Sequence, residues 1–327
     1  MRATATANAN IALVKYWGKR DPALNLPARG SLSVTLEGLT TTTTVELQSE
    51  RGAVDQLRLG GELADAEVLA KALRVIEPIR ALTGRSERVS MTSENSFPTG
   101  AGLASSASGL AALTVAAAGA FGLEASPTEL SRLARVGSGS ACRSLFGGFV
   151  EWHAGAREDG LDSFASPLYP PEHWDLAVVV AVVSPGKKAV GSTNGMTHTR
   201  LTSPFHEPFL ASVDGDLAAA KEAIQARDFG ALARVAQRSS LRMHAAMQAA
   251  DPALIYLNPE SWTVIQRVQA LARDGVPAFF TADAGPNIKV FCEASALQTV
   301  RDAVAELREV RRIVVARPGG AAALVAA

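Results

Sequence analysis

The sequence has little cysteine and no excess of charge of either sign. Its 327 residues include two cysteines, Cys142 and Cys292. Two are too few for a disulfide framework or a zinc site, and their scarcity favours a reducing compartment, so we expect a cytoplasmic protein. Lys and Arg together number 32, as do Asp and Glu, which gives a formal net charge of zero. A nucleic-acid or membrane-surface protein is therefore disfavoured, because phosphate contacts require a basic excess.

Long apolar segments are also missing. The N-terminal stretch MRATATANANIALVKYWGKR is interrupted by Asn8 and Asn10 and carries Lys15, unlike the apolar core of a signal peptide. The longest strongly β-prone apolar run is LAVVVAVV at residues 176–183, which is far too short to cross a bilayer. The five histidines show no metal-ligand spacing. The sequence therefore predicts no secretory leader, no membrane span and no histidine metal site.

The chain is long for one compact core, so we expect two lobes, formed by residues 1–175 and 176–327. Apolar periodicity and β-branched runs predict strands and helices that mix throughout, which is an α+β pattern. The predicted strands are 9–14, 31–36, 41–47, 89–92, 176–183, 278–282, 288–292 and 312–317, and the predicted helices are 67–82, 104–121, 127–136, 212–226, 229–249, 259–273 and 295–307.

Local composition supports finer expectations. The β-branched runs 31–36 and 41–47 are expected to pair with each other. Residues 126–129 (SPTE) form a capping box with proline at the first helical position, and Ser295 is expected to cap the last helix. The tail PGGAAALVAA is expected to be poorly ordered.

Small residues are concentrated in FPTGAGLASSASG at 97–109, directly before a predicted helix. The start of a helix offers free N–H groups and a positive dipole end, and glycines allow close approach of an anion. The stretch is neither a Walker A loop nor a dinucleotide fingerprint, since no Gly-Lys-Ser/Thr follows and Ser105 stands where the third glycine belongs. The local pattern is compatible with a phosphate cradle and equally with a small-residue turn.

Cations follow small or apolar residues at three further places. NIALVKYWGKRD at 10–21 ends an apolar strand in cations and aromatics, GSGSACRS at 137–144 contains Arg143, and KKAVGSTNGM at 187–196 opens with two lysines. Arginine can grip a carboxylate or phosphate with two parallel hydrogen bonds. Taken alone, 10–21 is better explained as a solvated turn and 187–196 as a surface loop. For 137–144 a helix C-terminal turn with Arg143 exposed is less satisfactory, because it is the second glycine–serine stretch in the chain.

Asp283 opens the turn DAGPN at 283–287 between two apolar segments, PAFFTA and IKVFC. An aspartate before Gly-Pro often bonds its own backbone as an Asx-turn. A carboxylate between two buried strands, however, needs a cationic partner. Lys15 and Arg143 are the candidates for that partner.

Six of these stretches together resemble the diphosphomevalonate decarboxylase family of the GHMP kinase superfamily. They are NIALVKYWGKRD, SLSVTL, FPTGAGLASSASG, GSGSACRSLFGGFVEW, STNGM and DAGPN, in the family's order over positions 10–287. The resemblance implies an N-terminal lobe like domain 2 of ribosomal protein S5, a C-terminal ferredoxin-like lobe and an active site between them. It implies ATP-dependent phosphorylation of the 3-hydroxyl of (R)-5-diphosphomevalonate, then loss of phosphate and CO2 to give isopentenyl diphosphate. Magnesium and a homodimer are also implied.

The same resemblance assigns roles to individual residues. Asp283 would orient or deprotonate the 3-hydroxyl, with Lys15 beside it, and Arg143 and Asn10 would hold the substrate carboxylate. The implied substrate-binding residues are Tyr16, Trp17, Lys19, Ser138, Gly139, Ser140, Arg143 and Ser192. The implied ATP-binding residues are Pro98, Gly100, Gly102, Leu103, Ala104, Ser105 and Ser106, and the last two are also the candidate metal ligands.

Two departures from the family pattern leave alternatives open. Residues 28–31 read ARGS where the family usually has a run like INSS, and 191–193 read GST where many relatives have SST. Arg29 thereby adds a cation of unassigned purpose. Because some relatives decarboxylate the monophosphate and others stop after 3-phosphorylation, a phosphomevalonate decarboxylase and a mevalonate 3-kinase remain alternatives. A non-catalytic sensor of isoprenoid phosphates on the same fold is a further one.

Overall fold

The computed structural model describes residues 1–50, 52–97, 105–184 and 189–325. The strands are β1 (Arg2–Val14), β2 (Lys19–Asp21), β3 (Leu26–Pro27), β4 (Ser31–Gln48), β5 (Gln56–Leu59), β6 (Glu62–Leu63), β7 (Arg88–Asn95), β8 (Phe149–Trp152), β9 (Ala165–Tyr169), β10 (Leu176–Val182), β11 (Ala278–Ala282), β12 (Ile288–Glu293), β13 (Arg312–Pro318) and β14 (Ala323–Leu324). The helices are α1 (Ala66–Thr83), α2 (Ser105–Phe121), α3 (Pro127–Gly137), α4 (Ser192–Thr202), α5 (His206–Ala226), α6 (Phe229–Gln248), α7 (Pro259–Arg273) and α8 (Leu297–Ala305), with 3-10 turns at Gly139–Leu145, Pro171–His173 and Ala294–Ala296.

The long strand β4 organises the N-terminal half. It runs antiparallel to β1 from Arg2 opposite Glu46 to Val14 opposite Leu32, and its other edge is shared by β7 and β8. The expectation that 31–36 and 41–47 pair with each other is therefore wrong. Both runs belong to one strand, because Gly38, with φ of 85°, lies within an irregularity of the β1–β4 register and not in a reversing turn.

The sheet of the C-terminal half is also antiparallel, and the last two strands of the chain pair with strands of the N-terminal half. β10 lies between β12 and β13, and β11 pairs with the outer edge of β12. β13 continues the sheet into β4 through Arg317 opposite Glu37, and β14 pairs with β1. Part of the tail expected to be poorly ordered is therefore a short strand, which Val325 extends by donating its N–H to Thr4.

Helix boundaries follow local capping chemistry in most places. The capping box of Ser126 and Glu129 is present at α3, and Asn258 and Ser261 form another at α7. The expected cap at Ser295 is wrong, because Ser295 lies inside the 3-10 turn that precedes α8. Helix α4 was not predicted from the sequence. None of the helices in the described part of the chain is long and apolar enough to cross a membrane.

Packing brings the ends of several elements together. Alanine-rich α2 is almost wholly buried and contacts β1 and β4, so the N-terminal half closes around it. A second apolar cluster joins β1 and β4 to β10, α5 and α6, and thereby links the two halves of the chain. Helix α6 contacts both β1 and β11. The C-terminal ends of these two strands consequently open onto the same space.

Candidate active site

A cavity of about 450 Å3 lies where these ends meet. Its walls come from the ends of β1 and β11, the starts of α2 and α4, one face of α1, and the turn between α3 and the following 3-10 helix. The residues expected from sequence that line it are Asn10, Lys15, Tyr16, Trp17, Lys19, Ser105, Ser106, Ser138, Gly139, Ser140, Arg143, Ser192 and Asp283. The structure thus brings these residues to one cavity, while their individual roles remain predictions.

The carboxylate of Asp283 lies between two lysines. Lys15 Nζ is 2.7 Å from Asp283 Oδ1, and Lys289 Nζ is 3.3 Å from Asp283 Oδ2. Both lysine side chains are at most 1% exposed, whereas that of Asp283 is 30% exposed and faces the cavity. The aspartate therefore presents an open face to a ligand while its charge is compensated from behind.

Protonation in this group is set by burial and by the ion pairs. Burial by itself would raise the pKa of Asp283, but the two lysines outweigh it and hold that pKa well below its usual range. Burial lowers the pKa of Lys15 to about 8, with Asp283 opposing the decrease. Asp283 is thus ionised at neutral pH and acts as a hydrogen-bond acceptor.

Arg143 and Asn10 form a second buried polar group in the cavity wall. Arg143 donates from Nε to Asn10 Oδ1 at 3.0 Å and from Nη1 to Ser31 Oγ at 2.5 Å. Asn10 in turn donates to Ser144 Oγ at 2.8 Å and to the carbonyl of Ser140 at 3.0 Å. Among the described residues these bonds use only part of the five N–H groups of the guanidinium, so donors remain for an anionic ligand.

The turn at Gly139 requires a residue without a side chain. A Cβ at this position would lie 2.7 Å from the ring of Trp152 and 2.9 Å from the hydroxyl of Tyr16. The ring of Tyr16 packs edge-on against Trp152, with centroids 4.7 Å apart. Within the described part of the chain, the buried Tyr16 hydroxyl has no hydrogen-bond partner. A buried hydroxyl without a partner beside a cavity is well suited to a ligand oxygen.

Lys19 lies at another end of the cavity, where cations gather. Its Nζ donates to Asn25 Oδ1 at 2.6 Å, and Lys71 and Arg74 of α1 line the same wall. Burial, together with the charges of Arg74 and Lys71, lowers the pKa of Lys19 to about 8. Asn25 donates to the carbonyls of Arg135 and Val136, directly before the turn that carries Ser138.

The remaining predicted residues are distributed as follows. Ser105 and Ser106 form the start of α2 at the cavity wall, and Ser192 is the first residue of α4. Trp17 donates from Nε1 to Thr199 Oγ1 of α4 at 3.0 Å. Arg29 pairs with Asp214 at 3.5 Å on the surface. Five of the residues expected to bind ATP lie outside the described residues, namely Pro98, Gly100, Gly102, Leu103 and Ala104. The same is true of the two lysines Lys187 and Lys188.

Sequence reasoning missed three parts of this site. Lys289 was available as a signal, because it is a lone cation in the apolar strand IKVFC and stands opposite Thr281 in the β11–β12 pairing. The contact between Asn25 and Lys19 forms within the β2–β3 hairpin, and no sequence pattern indicated it. The face of α1 with Glu67, Lys71 and Arg74 could not be found by helical periodicity, which marks only the apolar side.

Comparisons with known proteins agree over almost the whole chain. Residues 7–165 match the family described as diphosphomevalonate decarboxylase-like N-terminal domain, and residues 178–315 match the mevalonate 5-diphosphate decarboxylase C-terminal domain. The chain is 43% identical over 308 residues to diphosphomevalonate decarboxylase mvd1 of Aspergillus fumigatus, covering 89% of this chain and 76% of that protein.

Solved structures give the same answer. The mevalonate diphosphate decarboxylase of Staphylococcus aureus superposes with a TM-score of 0.93 at 39% identity, over 99% of this chain and 98% of that one. A structure named MDDEF in complex with MVAPP, AMPPCP and magnesium superposes with a TM-score of 0.92 at 38% identity, over 99% of both chains.

The fold is therefore the two-lobed α+β fold of the GHMP kinase superfamily, as the resemblance in the sequence implied. Within that class, the chain belongs to the diphosphomevalonate decarboxylase family.

Proposed function

We propose that this protein catalyses the ATP-dependent decarboxylation of (R)-5-diphosphomevalonate in the mevalonate pathway of isoprenoid biosynthesis. The products are isopentenyl diphosphate, ADP, phosphate and CO2, and the reaction passes through a 3-phosphorylated intermediate. The observation that carries the proposal is the Asp283 carboxylate, which is held between Lys15 and Lys289 and opens onto the cavity that Arg143 and Asn10 also line.

In the first step, Asp283 accepts a hydrogen bond from the tertiary 3-hydroxyl and aligns its oxygen with the terminal phosphate of ATP. Because the low pKa keeps Asp283 ionised, its carboxylate is free to accept the hydroxyl proton as the new P–O bond forms and the bond from the terminal phosphorus to ADP breaks. The phosphoryl group brings further negative charge, which Lys15 stabilises from 2.7 Å behind the carboxylate. Because Asp283 and Lys15 are already in place before the reaction, little free energy is needed to reorganise them in the transition state.

In the second step, the C3–O bond breaks and phosphate leaves with the bonding electrons. Positive character develops at C3, the C–C bond to the carboxylate breaks, and its electron pair forms the new double bond as CO2 departs. Arg143 and Asn10, fixed by their mutual bond of 3.0 Å, would hold the carboxylate so that this C–C bond is aligned.

The residues present fit ATP and magnesium. Ser105 and Ser106 begin α2, whose first N–H groups and positive dipole end suit nucleotide phosphates. No group of three or more His, Cys, Asp or Glu within residues 1–50, 52–97, 105–184 and 189–325 could bind a metal unaided. Magnesium needs no such cage, since it is usually held through substrate phosphates and one or two protein oxygens. When bound, it would neutralise phosphate charge and so help transfer.

The diphosphate of the substrate would lie against Tyr16, Lys19, Ser192 and the turn with Ser138, Gly139 and Ser140. In support, the buried hydroxyl of Tyr16 faces this turn without a partner within the described part of the chain. Lys19 supplies positive charge next to it. Trp17 would contribute apolar surface, because its Nε1 already donates to Thr199.

Product analysis with three substrates tests the proposal. Mevalonate, its 5-phosphate and its 5-diphosphate would each be incubated with ATP and Mg2+, and ADP and CO2 measured. We expect equal amounts of both products with the diphosphate alone. Release of CO2 from the monophosphate would instead identify a phosphomevalonate decarboxylase, and ADP from mevalonate without CO2 would identify a 3-kinase. Binding without any turnover would favour a sensor.

We also propose a cytoplasmic homodimer whose two lobes divide at residues 175 and 176. The family models support this division, since one ends at 165 and the other begins at 178. Two free, buried cysteines are consistent with a reducing compartment. Light scattering on the purified protein would decide the oligomeric state, and a monomer at micromolar concentration would contradict the dimer.

A further inference from the structure

Two adjacent serines of α6 bind the backbone beside the two members of the Lys15–Asp283 pair. Ser239 Oγ accepts the backbone N–H of Lys15 at 3.0 Å. Ser240 Oγ accepts the N–H of Ala282 at 3.0 Å and donates to the carbonyl of the same residue at 3.1 Å. Ala282 ends β11 directly before Asp283. One helix thus contacts the chain at both members of the pair.

The strand pairings of the described residues do not set the distance between Lys15 and Asp283. β1 pairs with β4 and β14, whereas β11 pairs with β12, so these two strands share no backbone ladder. The two residues are 268 positions apart in the chain. Their contact at 2.7 Å therefore depends on an element that touches both strands, and α6 does so.

Both serines are placed to act as rigid links. Each is 0% exposed, so water cannot replace either hydroxyl. Neighbouring helical residues point about 100° apart, which lets one serine reach the end of β1 while the next reaches the end of β11. Alanine at either position would leave buried backbone polar groups with poorer partners.

We propose that Ser239 and Ser240 are positioning residues that set the geometry of the Lys15–Asp283 pair for proton transfer. This inference depends on the proposed function, because its consequence appears in turnover. The charged and titratable groups around Asp283 are Lys15 and Lys289, with Arg143 also close to Lys15. His244 lies on the same helix and is buried. Burial, and then the positive charge of Lys15, lowers the pKa of His244 to about 4, so its imidazole is neutral near pH 7.

The test compares Ser240→Ala and Ser239→Ala with the natural protein in steady-state kinetics, with diphosphomevalonate and ATP. We expect Ser240→Ala to lower kcat about 10- to 100-fold with KM within about twofold, since a small misplacement of reacting groups has effects of this size. The acid limb of the kcat profile should move to higher pH, because a looser ion pair lets the pKa of Asp283 rise. Ser240→Thr, which keeps the hydroxyl, should restore most of kcat.

Ser93→Ala is the matched control. Ser93 is also buried, and its hydroxyl bonds the buried hydroxyl of Thr43 at 2.9 Å, but neither residue lines the cavity or lies next to one that does. This variant should reduce thermal stability, yet leave kcat and its pH profile unchanged.

The outcomes separate this inference from the proposed function. If the natural protein does not turn over diphosphomevalonate, the proposed function fails first. If it does, and Ser240→Ala keeps kcat within about twofold at a temperature where it is folded, the positioning role is refuted. If Ser240→Ala does not fold, Ser239→Ala and Ser240→Thr provide the test. A normal pH profile of kcat in Ser239→Ala would overturn the proposal. So would a kcat about 10-fold lower in Ser240→Thr.

Discussion

The two ends of the cavity hold their cations in different ways. At the inner end, formed by Asp283, Lys15 and Lys289, the lysines are fully buried and share one carboxylate. The outer end is formed by Lys19, Asn25, Lys71 and Arg74. There Lys19 donates to a neutral amide, and burial, followed by the charges of Arg74 and Lys71, lowers its pKa.

This difference suggests a division of work. Charges that are compensated and rigid before a ligand arrives suit chemistry, because little reorganisation is needed during the reaction. Positive charges that repel one another are relieved when an anion binds, so they suit recognition of a polyanion. We therefore expect changes at the inner end to reduce kcat and changes at the outer end to raise KM.

The largest effect is expected from Asp283→Asn or Asp283→Ala. Either change removes the acceptor for the 3-hydroxyl proton and should reduce kcat about 1,000-fold or more, while nucleotide still binds. Turnover measurements and nucleotide titration would check this. Asp216→Asn is the control, since Asp216, like Asp283, pairs with two cations, here Arg238 and Arg242, but does not line the cavity. Substantial turnover in Asp283→Ala would remove Asp283 from its assigned role.

A smaller loss at the inner end is expected from Lys289→Met. Removal of one of two cations should raise the pKa of Asp283 and lower kcat about 100-fold, with the acid limb of the pH profile moved upward. Kinetics from neutral pH down to the lowest pH at which the protein stays folded would measure both changes, because the pKa of Asp283 starts well below its usual range. Lys221→Met removes an exposed lysine that pairs with Glu151 and should change neither. An unchanged profile in Lys289→Met would show that Lys15 suffices.

At the outer end, the pH dependence of KM should follow Lys19. The pKa of Lys19 is lowered to about 8, so its positive charge is present below that pH and is lost as pH rises through it. Between pH 7 and 9 we expect KM for the diphosphate to increase about 10-fold. In Lys19→Gln, KM should be high already at pH 7 and vary little. A limb that persists in this variant would assign the titration to another group, with Lys15 the first candidate because its pKa is also lowered to about 8.

The smallest effect is expected from Asn25→Gly. Glycine accepts the left-handed backbone of Asn25, with φ of 52°, but removes the acceptor of Lys19 and the link to the turn before Ser138. KM should rise about fivefold with kcat unchanged, since the lost bond that orients Lys19 toward the ligand is worth about 1 kcal/mol. Asn8→Gly is a suitable control, because Asn8 likewise accepts from one side chain, the Thr40 hydroxyl, and donates to a backbone carbonyl, but lies outside the cavity lining. A lower kcat in Asn25→Gly would contradict the division between the two ends.

Local physical chemistry makes part of the fold predictable from the amino-acid sequence. The bounds of α7 at Pro259–Arg273 and the capping box of α3 match expectation, because proline, cap side chains and helical periodicity act within a few residues. The β11–β12 hairpin around Asp283 was predicted for the same reason. The single strand β4 was not, since β-branched residues indicate extended chain but not whether a glycine between them reverses it.

The sequence by itself determined the family and predicted which side chains carry the chemistry, because stretches such as DAGPN and FPTGAGLASSASG occur here in the order that the resemblance requires. Only the tertiary structure decided which of them touch. Lys15 was one of two candidate partners for Asp283, Lys289 was overlooked, and Ser239 and Ser240 had no sequence signal. Contacts between residues more than two hundred positions apart, such as Lys15 and Asp283, depend on how strands and helices pack, and no local preference encodes that distance.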